Sequence, residues 1–471
     1  MEKANHNRSN DFHSRAALTA IIGLGLISAM VYLFNFKLDH LVPEFLGRTD
    51  IHVYISLFVF LSVIYLLAVF LILKNRSTIG NSKKLLFIIL FFAIFFRLCL
   101  IPPDPTTLSN DMYRYIWDGR VQQSGTNPYQ YPPAAEELKS LRDDRIFPNI
   151  NRKDYPTIYP AGAQVFFRLF YILAGDSVAG HKGLMTFFDI FTLLLLTALL
   201  RVYGFETARV LIYAWNPLVI FEIAYSGHLE GLTVFLMVAA LYLNALQKKT
   251  PGIILLAVAG AVKLYPALLL AAFLNHGNRI KGMVTFLAVF VLLYLPYAGG
   301  GSKLLGFLPI YLNNPYESFN LGLKYLLMLL FPGLGYALLS KLFILALLAA
   351  GLVVFFKDKQ NVQVVRCAYI LVGWLIVLMP AALHPWYVVL IIPFLAFYPS
   401  AAWLIFSCAV VLSYFKYVAP QGIMPTWVLL VEYIPLFVLL AAGFILNAFA
   451  VRNRIGSIFY GRINERSVEV Q

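Results

Sequence analysis

The apolar run AALTAIIGLGLISAMVYLFNF, residues 16–36, contains 21 residues and no charged side chain. An α-helix needs about 20 such residues to cross the hydrocarbon core of a bilayer, so the run predicts a membrane-spanning helix. It is longer than the apolar core of a secretory signal peptide, and no small-residue cleavage site follows it. The run is therefore expected to remain in the protein as its first span.

Comparable apolar runs recur along the whole chain of 471 residues, of which 60% are hydrophobic and 13% are charged. Soluble proteins are about 45–50% apolar and about 25% charged, so this composition indicates an integral membrane protein. The predicted fold class is an all-α polytopic bundle of about 12–14 transmembrane helices, in a single membrane domain over residues 1–471. The further expected spans are 52–73, 84–101, 181–200, 207–223, 229–246, 282–298, 336–356, 362–380, 386–399, 400–417 and 427–449.

The segment 252–275 differs from the other apolar runs, because basic residues flank both of its ends. Lysine and arginine favour the cytoplasmic side of a membrane, and a single span cannot have two cytoplasmic ends. We therefore expect a hairpin of two short helices that turns at Lys263-Leu264-Tyr265-Pro266.

The distribution of charge predicts the orientation of the chain in the membrane. The formal net charge is +14, and seven short segments at the ends of the spans carry 20 basic and 6 acidic residues. Such an excess is typical of cytoplasmic loops, so the charge indicates orientation and not a nucleic-acid partner. Both termini, including the tail 452–471, are expected in the cytoplasm, and 102–180 and 298–334 are expected as external loops. The basic segments are 1–15, 74–84, 201–209, 247–250, 275–281, 357–366 and 452–471.

The external loop 102–180 holds most of the polar chemistry of the chain, with 8 basic and 9 acidic residues. It contains SNDMYRYIWDGR at residues 109–120, and the serine or asparagine that opens this motif suits the N-cap of a short helix over 110–124. The stretch 161–173 is apolar but short and contains Arg168. It is expected to lie in the membrane interface as a helix.

Asp111 is the leading candidate for catalysis. It would share one helix face with Tyr115 and Asp118, and a carboxylate beside the membrane can act as general base on a sugar hydroxyl. Arg114 and Arg120 can hold phosphate oxygens. Two structural alternatives stay open, in which Arg114 pairs with Asp111 at i,i+3 or with Asp118 at i,i+4. The tyrosine, tryptophan and asparagine residues nearby favour a functional site.

Three distant elements carry further ionisable residues. The motif SGHLEG at 226–231 contains His228 and Glu230, and ionisable groups at membrane depth usually face a functional cavity. Lys263 at the hairpin turn would face a lipid phosphate, unless it merely reaches the interface. His384 begins a late span. Three acidic residues in apolar spans have no assigned role: Asp189, Glu222 and Glu432.

The sequence gives no sign of a soluble cofactor. It lacks the glycine-rich motifs that bind nucleotides and the cysteine and histidine patterns of metal sites. The three cysteines, Cys99, Cys367 and Cys408, lie in apolar segments and are expected as buried hydrophobic residues. No cofactor and no metal ligand is predicted, although a divalent metal stays open. A phosphorylated substrate would reach the site from the bilayer.

The pattern NDMYRYIWDGR (110–120), followed by GTNPY (125–129), resembles membrane glycosyltransferases of the GT-C superfamily. The resemblance is in particular to bacterial polyprenyl-phosphomannose-dependent mannosyltransferases of the alpha-1,6 type. SGHLEG (226–231) is similar to the Gly-His-x-Asp element of that family, with Glu230 where aspartate is more usual. VKLYPAL (262–268) resembles its Lys-x-Pro-Ala-Leu turn, and Pro385-Trp386-Tyr387 resembles a late element.

This resemblance implies transfer of a sugar from a polyprenyl-phosphate donor to a hydroxyl of a lipid- or glycan-linked acceptor. The sugar would be mannose or another hexose or pentose, and its anomeric carbon would be inverted. Asp111 would be the general base, while Lys263, Arg114 and Arg120 would contact the donor phosphate. The expected substrate contacts are Tyr113, Tyr115, Trp117, Asp118, Asn127, Tyr129, Tyr159, His228, Glu230, Tyr265 and His384.

The resemblance also implies a location and a pathway. The protein is expected in the bacterial cytoplasmic (inner) membrane, among membrane lipids, with its active site on the external face and a role in cell-envelope glycans. Two other functions stay open: a transporter or flippase of lipid-linked saccharides, and a glycan polymerase or ligase that uses lipid-diphosphate donors. A purely structural membrane protein fits least well, because ionisable groups at membrane depth are costly.

Overall fold

The computed structural model describes residues 2–41, 49–102, 108–306 and 319–446 of the chain. The structure is 78% helical, and no strand occurs in these ranges. The predicted all-α class is therefore confirmed. The predicted tail 452–471 lies outside the described residues, as do residues 307–318 of the second predicted external loop.

Six helices in the described ranges are long and apolar enough to cross a membrane, which shows a multi-pass membrane protein. A seventh crossing arises if Thr207–Ala214 and Pro217–Tyr225 form one span, which is then bent by 60°. The six long helices are Arg15–Phe34, Ile51–Lys74, Val178–Val202, His276–Leu305, Tyr336–Phe356 and Thr426–Leu446.

The remaining predicted membrane segments are helical but shorter or more charged. Lys83–Leu100 has 18 residues, of which three are basic. Every predicted span thus corresponds to a helix, although only six or seven of these helices in the described ranges have the length and composition of a full crossing. The shorter apolar helices are Ala161–Ala174, Glu230–Ala245, Lys249–Val262, Val362–Val377, Pro385–Leu395 and Ala401–Tyr417.

The predicted span 207–223 is a broken helix, and the break has a local cause. Pro217 has no backbone N–H to continue the helical hydrogen bonds. The side chain of Asn216 caps the new helix instead, because its Oδ1 accepts from the backbone N–H groups of Leu218 and Val219 at 3.0 and 3.4 Å. The Nδ2 of Asn216 donates to Ser407 Oγ at 3.0 Å, which ties the break to a late helix.

A buried ion pair braces the membrane helices next to this break. Arg97 Nε lies 2.6 Å from Asp189 Oδ2, and neither side chain is exposed. Arg97 also donates to the carbonyl oxygen of Ala214 at 2.7 Å, and the Tyr213 hydroxyl donates to Asp189 at 2.5 Å. Such additional hydrogen bonds are needed to offset the desolvation of a buried pair. Asp189 therefore has a structural role.

The predicted hairpin in 252–275 is present. Lys249–Val262 ends at Lys263, whose backbone is extended (φ −141°, ψ 138°), and further helical turns follow over Tyr265–Leu269 and Leu270–Phe273. A proline in the first turn suits such a restart, since its missing N–H needs no partner there. Lys263 consequently lies at the break between the two arms.

The loop 102–180 docks on the membrane helices through close backbone contacts. Its predicted helix is Asp111–Gln123, here called the loop helix, and its second helix is Ala161–Ala174. A Cβ atom on Gly119 of the loop helix would lie 2.5 Å from the carbonyl oxygen of Phe167. The second helix in turn meets the hairpin, because a Cβ on Gly162 would lie 2.6 Å from the carbonyl carbon of Ala261. These contacts bring the loop next to Lys263.

Candidate active site

Asp111 is the first residue of the loop helix, and it is partly exposed. Asn151 Nδ2 donates to Oδ1 of Asp111 at 2.6 Å and to Oδ1 of Asn110 at 3.1 Å. Among the described residues the Asp111 carboxylate has no cationic partner, because Arg114 pairs with Asp118 instead. Asp111 is thus oriented by a neutral amide, and no described residue donates a hydrogen bond to its second oxygen.

Arg114 and Asp118 belong to a buried network that organises the loop. Their side chains meet at 2.9 Å and are each 2% exposed, so the i,i+4 alternative is confirmed. The other oxygen of Asp118 accepts from Thr157 Oγ1 at 2.5 Å and from Gln164 Nε2 at 2.9 Å. Arg114 donates further to two backbone carbonyls of the loop. These contacts indicate that both side chains hold the loop together.

Arg120 joins two more parts of the loop. It contacts Asp143 at 2.9 Å and Asp176 at 2.6 Å, and its guanidinium lies 5.7 Å from the ring centroid of Trp117. Partial burial opposes ionisation of Asp143, but hydrogen bonds from Arg120 and from backbone N–H groups outweigh it and lower the pKa of Asp143 to about 2. The Arg120 guanidinium is therefore engaged by carboxylates of the protein itself.

Tyrosine side chains pack separate parts of the loop 102–180 against one another. The Tyr115 ring lies 5.0 Å from that of Tyr159 and 4.6 Å from that of Phe167, and the Tyr129 hydroxyl donates to the Tyr159 carbonyl at 2.6 Å. Burial raises the pKa of all three tyrosine hydroxyls, so they stay neutral at ordinary pH. They are suited to packing and hydrogen bonding.

Tyr113 and Asn127 also hold the loop in place. Tyr113 is 2% exposed, so most of its ring is covered by protein. Asn127 Nδ2 donates to the carbonyl oxygen of Tyr297 at 3.1 Å, and its Oδ1 accepts from the backbone N–H of Tyr129 at 3.0 Å. Asn127 thereby fixes the end of the loop helix region against the long helix His276–Leu305.

Glu230 and Lys263 form an ion pair at the hairpin break. Lys263 Nζ contacts Glu230 Oε1 directly, and the side chain of Lys263 is 11% exposed while that of Glu230 is 0% exposed. The same ammonium lies 5.2 Å from the ring centroid of Tyr387, which packs on Tyr265 at 5.1 Å. The second oxygen of Glu230 has no hydrogen-bond partner among the described residues. The pair thus retains an acceptor for a ligand.

Four aromatic rings stack in a row that we call the ring column: Phe319, His384, Trp386 and His228. Successive ring centroids are 4.6, 4.3 and 4.2 Å apart. Trp386 is thus enclosed between two imidazoles. In the sequence, Trp386 was marked by the resemblance of Pro385-Trp386-Tyr387 to a late family element, while its position at the end of a span is also typical of the aromatic belt of a membrane protein.

The ion pair, the ring column and Asp111 lie in one neighbourhood. Tyr115 is close enough to Asp111 and Glu230 for both carboxylates to disfavour its ionisation. The same two carboxylates interact electrostatically with His228, and Lys263 interacts with His384. The structure therefore brings together residues from four elements that are far apart in the sequence.

Two residues of this neighbourhood were not identified from the sequence. Asn151 gave no signal, because an asparagine in a polar loop is common and only folding brings it to Asp111. Phe319 likewise appeared to be an ordinary apolar residue. Glu222 was noted in the sequence as an acidic residue in an apolar segment. The energetic cost of a carboxylate at membrane depth was the one feature that set it apart.

A multi-pass membrane protein in which a loop carboxylate meets buried ion pairs has the architecture of a membrane enzyme. The family model described as Alpha-(1->6)-mannopyranosyltransferase, N-terminal domain, matches residues 16–276. This is more than half of the chain, which therefore belongs to that family and is a glycosyltransferase. The match includes Asp111, Glu230 and Lys263, and it ends before His384. Comparison with the curated proteins and with the solved structures gave no significant match.

Proposed function

We propose that this protein transfers mannose, or a related sugar, from a polyprenyl-phosphate donor to a hydroxyl group of a lipid- or glycan-linked acceptor. Asp111 acts as general base, and the anomeric carbon is inverted. The observation that carries the proposal is the environment of Asp111. Its carboxylate is oriented by Asn151 and has no cationic partner among the described residues. It also lies near Glu230 and His228. A base with a free oxygen beside ionisable groups suits abstraction of a hydroxyl proton.

The leaving phosphate is assigned to Lys263. Negative charge builds on that phosphate as the sugar departs, and a fixed cation in a water-poor site stabilises it strongly. Lys263 is almost fully buried and is positioned by Glu230. Arg114 and Arg120 were predicted to share this role, but their contacts with loop carboxylates suit them better to supporting the loop.

The sugar rings are assigned to the aromatic and polar side chains near Asp111 and Lys263. Tyr265 and Tyr387 pack against each other beside the Lys263 ammonium, and the unpartnered oxygen of Glu230 offers an acceptor for a sugar hydroxyl. Aromatic faces suit the apolar faces of sugar rings, while a few polar groups fix orientation. Tyr115 and Tyr159 stay predicted contacts on the loop side.

We further propose that the site faces the exterior of the bacterial cytoplasmic membrane, with both termini inside. Support comes from which predicted loops lie together in the structure. Residues of 244–249, 275–277 and 358–364, all in or beside predicted cytoplasmic segments, line one cleft. The predicted external residues Asp111 and His228 instead lie together in the active-site neighbourhood. Each group of loops thus shares a face, as a common side of the membrane requires.

The test uses the purified full-length protein in nanodiscs. It is incubated with a panel of polyprenyl-phosphate hexoses and pentoses, mannose included, and with an alkyl mannoside as acceptor. Formation of a new inverted glycoside is expected with at least one donor. With the protein in sealed proteoliposomes, disappearance of donor from the outer leaflet without any glycoside would instead indicate a flippase. Product from lipid-diphosphate donors alone would indicate a polymerase or ligase.

The Asp111→Asn variant tests the assignment of the base. We expect transfer to fall at least about 100-fold, because general bases contribute roughly 10²–10⁴-fold. Folding should be retained, since Asn151 can still hydrogen-bond to the amide. Asp144→Asn is the matched control: Asp144 is an exposed acid of the same loop, and its variant should keep full activity. Full activity of Asp111→Asn would refute the role of Asp111.

A further inference from the structure

Glu222 has no role in the proposed function, yet its surroundings are unusual. It lies in Phe221–Tyr225, a single π-helical turn at the end of the broken helix. Such turns are rare in proteins and frequently occur at functional sites. The Glu222 side chain is fully buried, and the Tyr414 hydroxyl donates to its Oε1 at 2.8 Å.

The backbone after this turn holds His228 against Glu222. The N–H of His228 donates to the Glu222 carbonyl at 3.0 Å. Gly227 has a φ of +72°, in the left-handed region that favours glycine. A Cβ atom there would lie 2.1 Å from Cε of Met112, which follows Asp111 in the loop helix. The turn is therefore pressed against the start of the loop helix.

The side chains of Glu222 and His228 make a charge contact. His228 Nδ1 lies 2.9 Å from Glu222 Oε2, and both side chains are 0% exposed. The two groups are not aligned for a hydrogen bond, so the contact is one of proximity and charge. His228 Nε2 has no hydrogen-bond partner among the described residues, although burial makes an unpaired polar atom costly. A ligand that supplies an oxygen would remove this cost.

The groups around His228 decide which form of the imidazole is favoured. Asp111 on the loop helix and Glu230 on the following helix also act on it electrostatically. On the other side of Trp386, His384 carries the second imidazole of the ring column. Burial opposes protonation of His228, but the three carboxylates that face it outweigh this effect. They stabilise the protonated form, in which Nε2 carries a hydrogen to donate.

We propose that Glu222 is a positioning residue that holds His228 as an imidazolium, whose Nε2–H donates a hydrogen bond to an oxygen of the lipid-phosphate sugar donor. This inference rests on the proposed function, since it concerns the donor of that reaction. The donor oxygen that accepts this hydrogen bond is a phosphate oxygen or a sugar hydroxyl oxygen. Either oxygen can accept from an imidazolium N–H.

The pH dependence of kcat/KM in Glu222→Gln tests the proposal. In the wild-type protein activity should decline on the alkaline side as the imidazolium loses its proton. Without the Glu222 carboxylate that proton is lost more easily, so the decline should move to lower pH by about one unit. Glu432→Gln is the matched control: it replaces another buried acidic side chain, which accepts a hydrogen bond from Asn320 and does not contact His228, and its profile should coincide with that of the wild type. A Glu222→Gln profile that also coincides with the wild type would overturn the proposal.

A measurement without turnover covers the case in which Glu222→Gln does not fold. The wild-type protein is labelled with ¹⁵N-histidine in nanodiscs, and the His228 signal is identified by its absence in His228→Gln. An imidazolium signal at pH 7 is expected. A neutral imidazole at pH 6 would refute the proposal whatever the variants do.

Binding measurements with His228→Gln identify which oxygen of the donor accepts the hydrogen bond from His228. Weaker binding of both the sugar-linked donor and bare polyprenyl phosphate would assign the contact to the phosphate. Weaker binding of the sugar-linked donor alone would assign it to a sugar hydroxyl, and unchanged binding of both would contradict the contact. Failure of the proposed base is distinguished from failure of this inference. If Asp111 is not the base, Asp111→Asn stays active while the alkaline decline of kcat/KM in Glu222→Gln still moves to lower pH.

Discussion

Lys263 has a structural contact in the fold and a proposed role in the reaction. Its ammonium neutralises the buried carboxylate of Glu230, so loss of either partner leaves an uncompensated charge. Removing one member of a buried ion pair costs about 3–5 kcal/mol, whereas replacing both members is often neutral. Lower activity after a single substitution at Lys263 could therefore arise either from instability or from loss of the catalytic cation.

A double substitution separates these two effects. Lys263→Gln alone should lose both thermal stability and transfer activity. The pair Lys263→Gln and Glu230→Gln should recover most of the stability, measured by thermal unfolding in nanodiscs, because no charge is left unpaired. It should not recover transfer, because the leaving phosphate lacks its cation. Recovery of transfer together with stability would show that the pair is only structural.

At the scale of elements, the loop 102–180 is held by carboxylates that bind arginine. The pKa of Asp143 is about 2, below the value of about 3.9 expected in an unfolded chain. A carboxyl with a lowered pKa contributes stability above the unfolded value and loses it as the pH falls. The Arg120 contacts should therefore hold the loop fully above about pH 4 and weaken between about pH 4 and 2.

Limited proteolysis of the loop by an acid protease measures this effect. Cleavage of the wild-type loop should accelerate as the pH falls from 4 to 2, after correction for the protease's own profile. Asp143→Asn should be cleaved faster at pH 4 and change less below it, since it lacks the titrating group. The stability difference should stay below about 1 kcal/mol, because Asp143 is 35% exposed and solvent screens the contact. Equal curves for both proteins would exclude a role for Asp143.

The sequence predicted the elements of this fold better than their contacts. Apolar runs and caps are local, so the loop helix and the hairpin at Lys263 were predicted within a few residues. The pairing of Glu222 with Tyr414 joins residues 192 positions apart, and no local pattern reports it. The break at Asn216 was also missed, because an apolar run that contains Asn-Pro still satisfies the hydropathy of a span.

The same limit applies to the candidate site. Asp111, Glu230 and Lys263 could be proposed from motifs and from the cost of charge in a membrane. The i,i+4 pairing of Arg114 with Asp118 was one of the alternatives read from the sequence. The partners of Arg120, Asp143 and Asp176, lie 23 and 56 positions away, and only folding brings them to it. Charge pairs that form through folding are therefore the part of an active site that a sequence conceals.

At the scale of the whole molecule, the predicted orientation rests on the distribution of charge and can be tested directly. Asp144 is exposed on the loop 102–180, and Gly277 is exposed at the cleft where predicted cytoplasmic loops meet. A membrane-impermeant maleimide should label Asp144→Cys in intact cells but label Gly277→Cys only after permeabilisation. The unsubstituted protein gives the background, because its cysteines at 99, 367 and 408 are only partly buried. The reverse pattern would place the active site in the cytoplasm and, with it, require a donor presented on the inner leaflet.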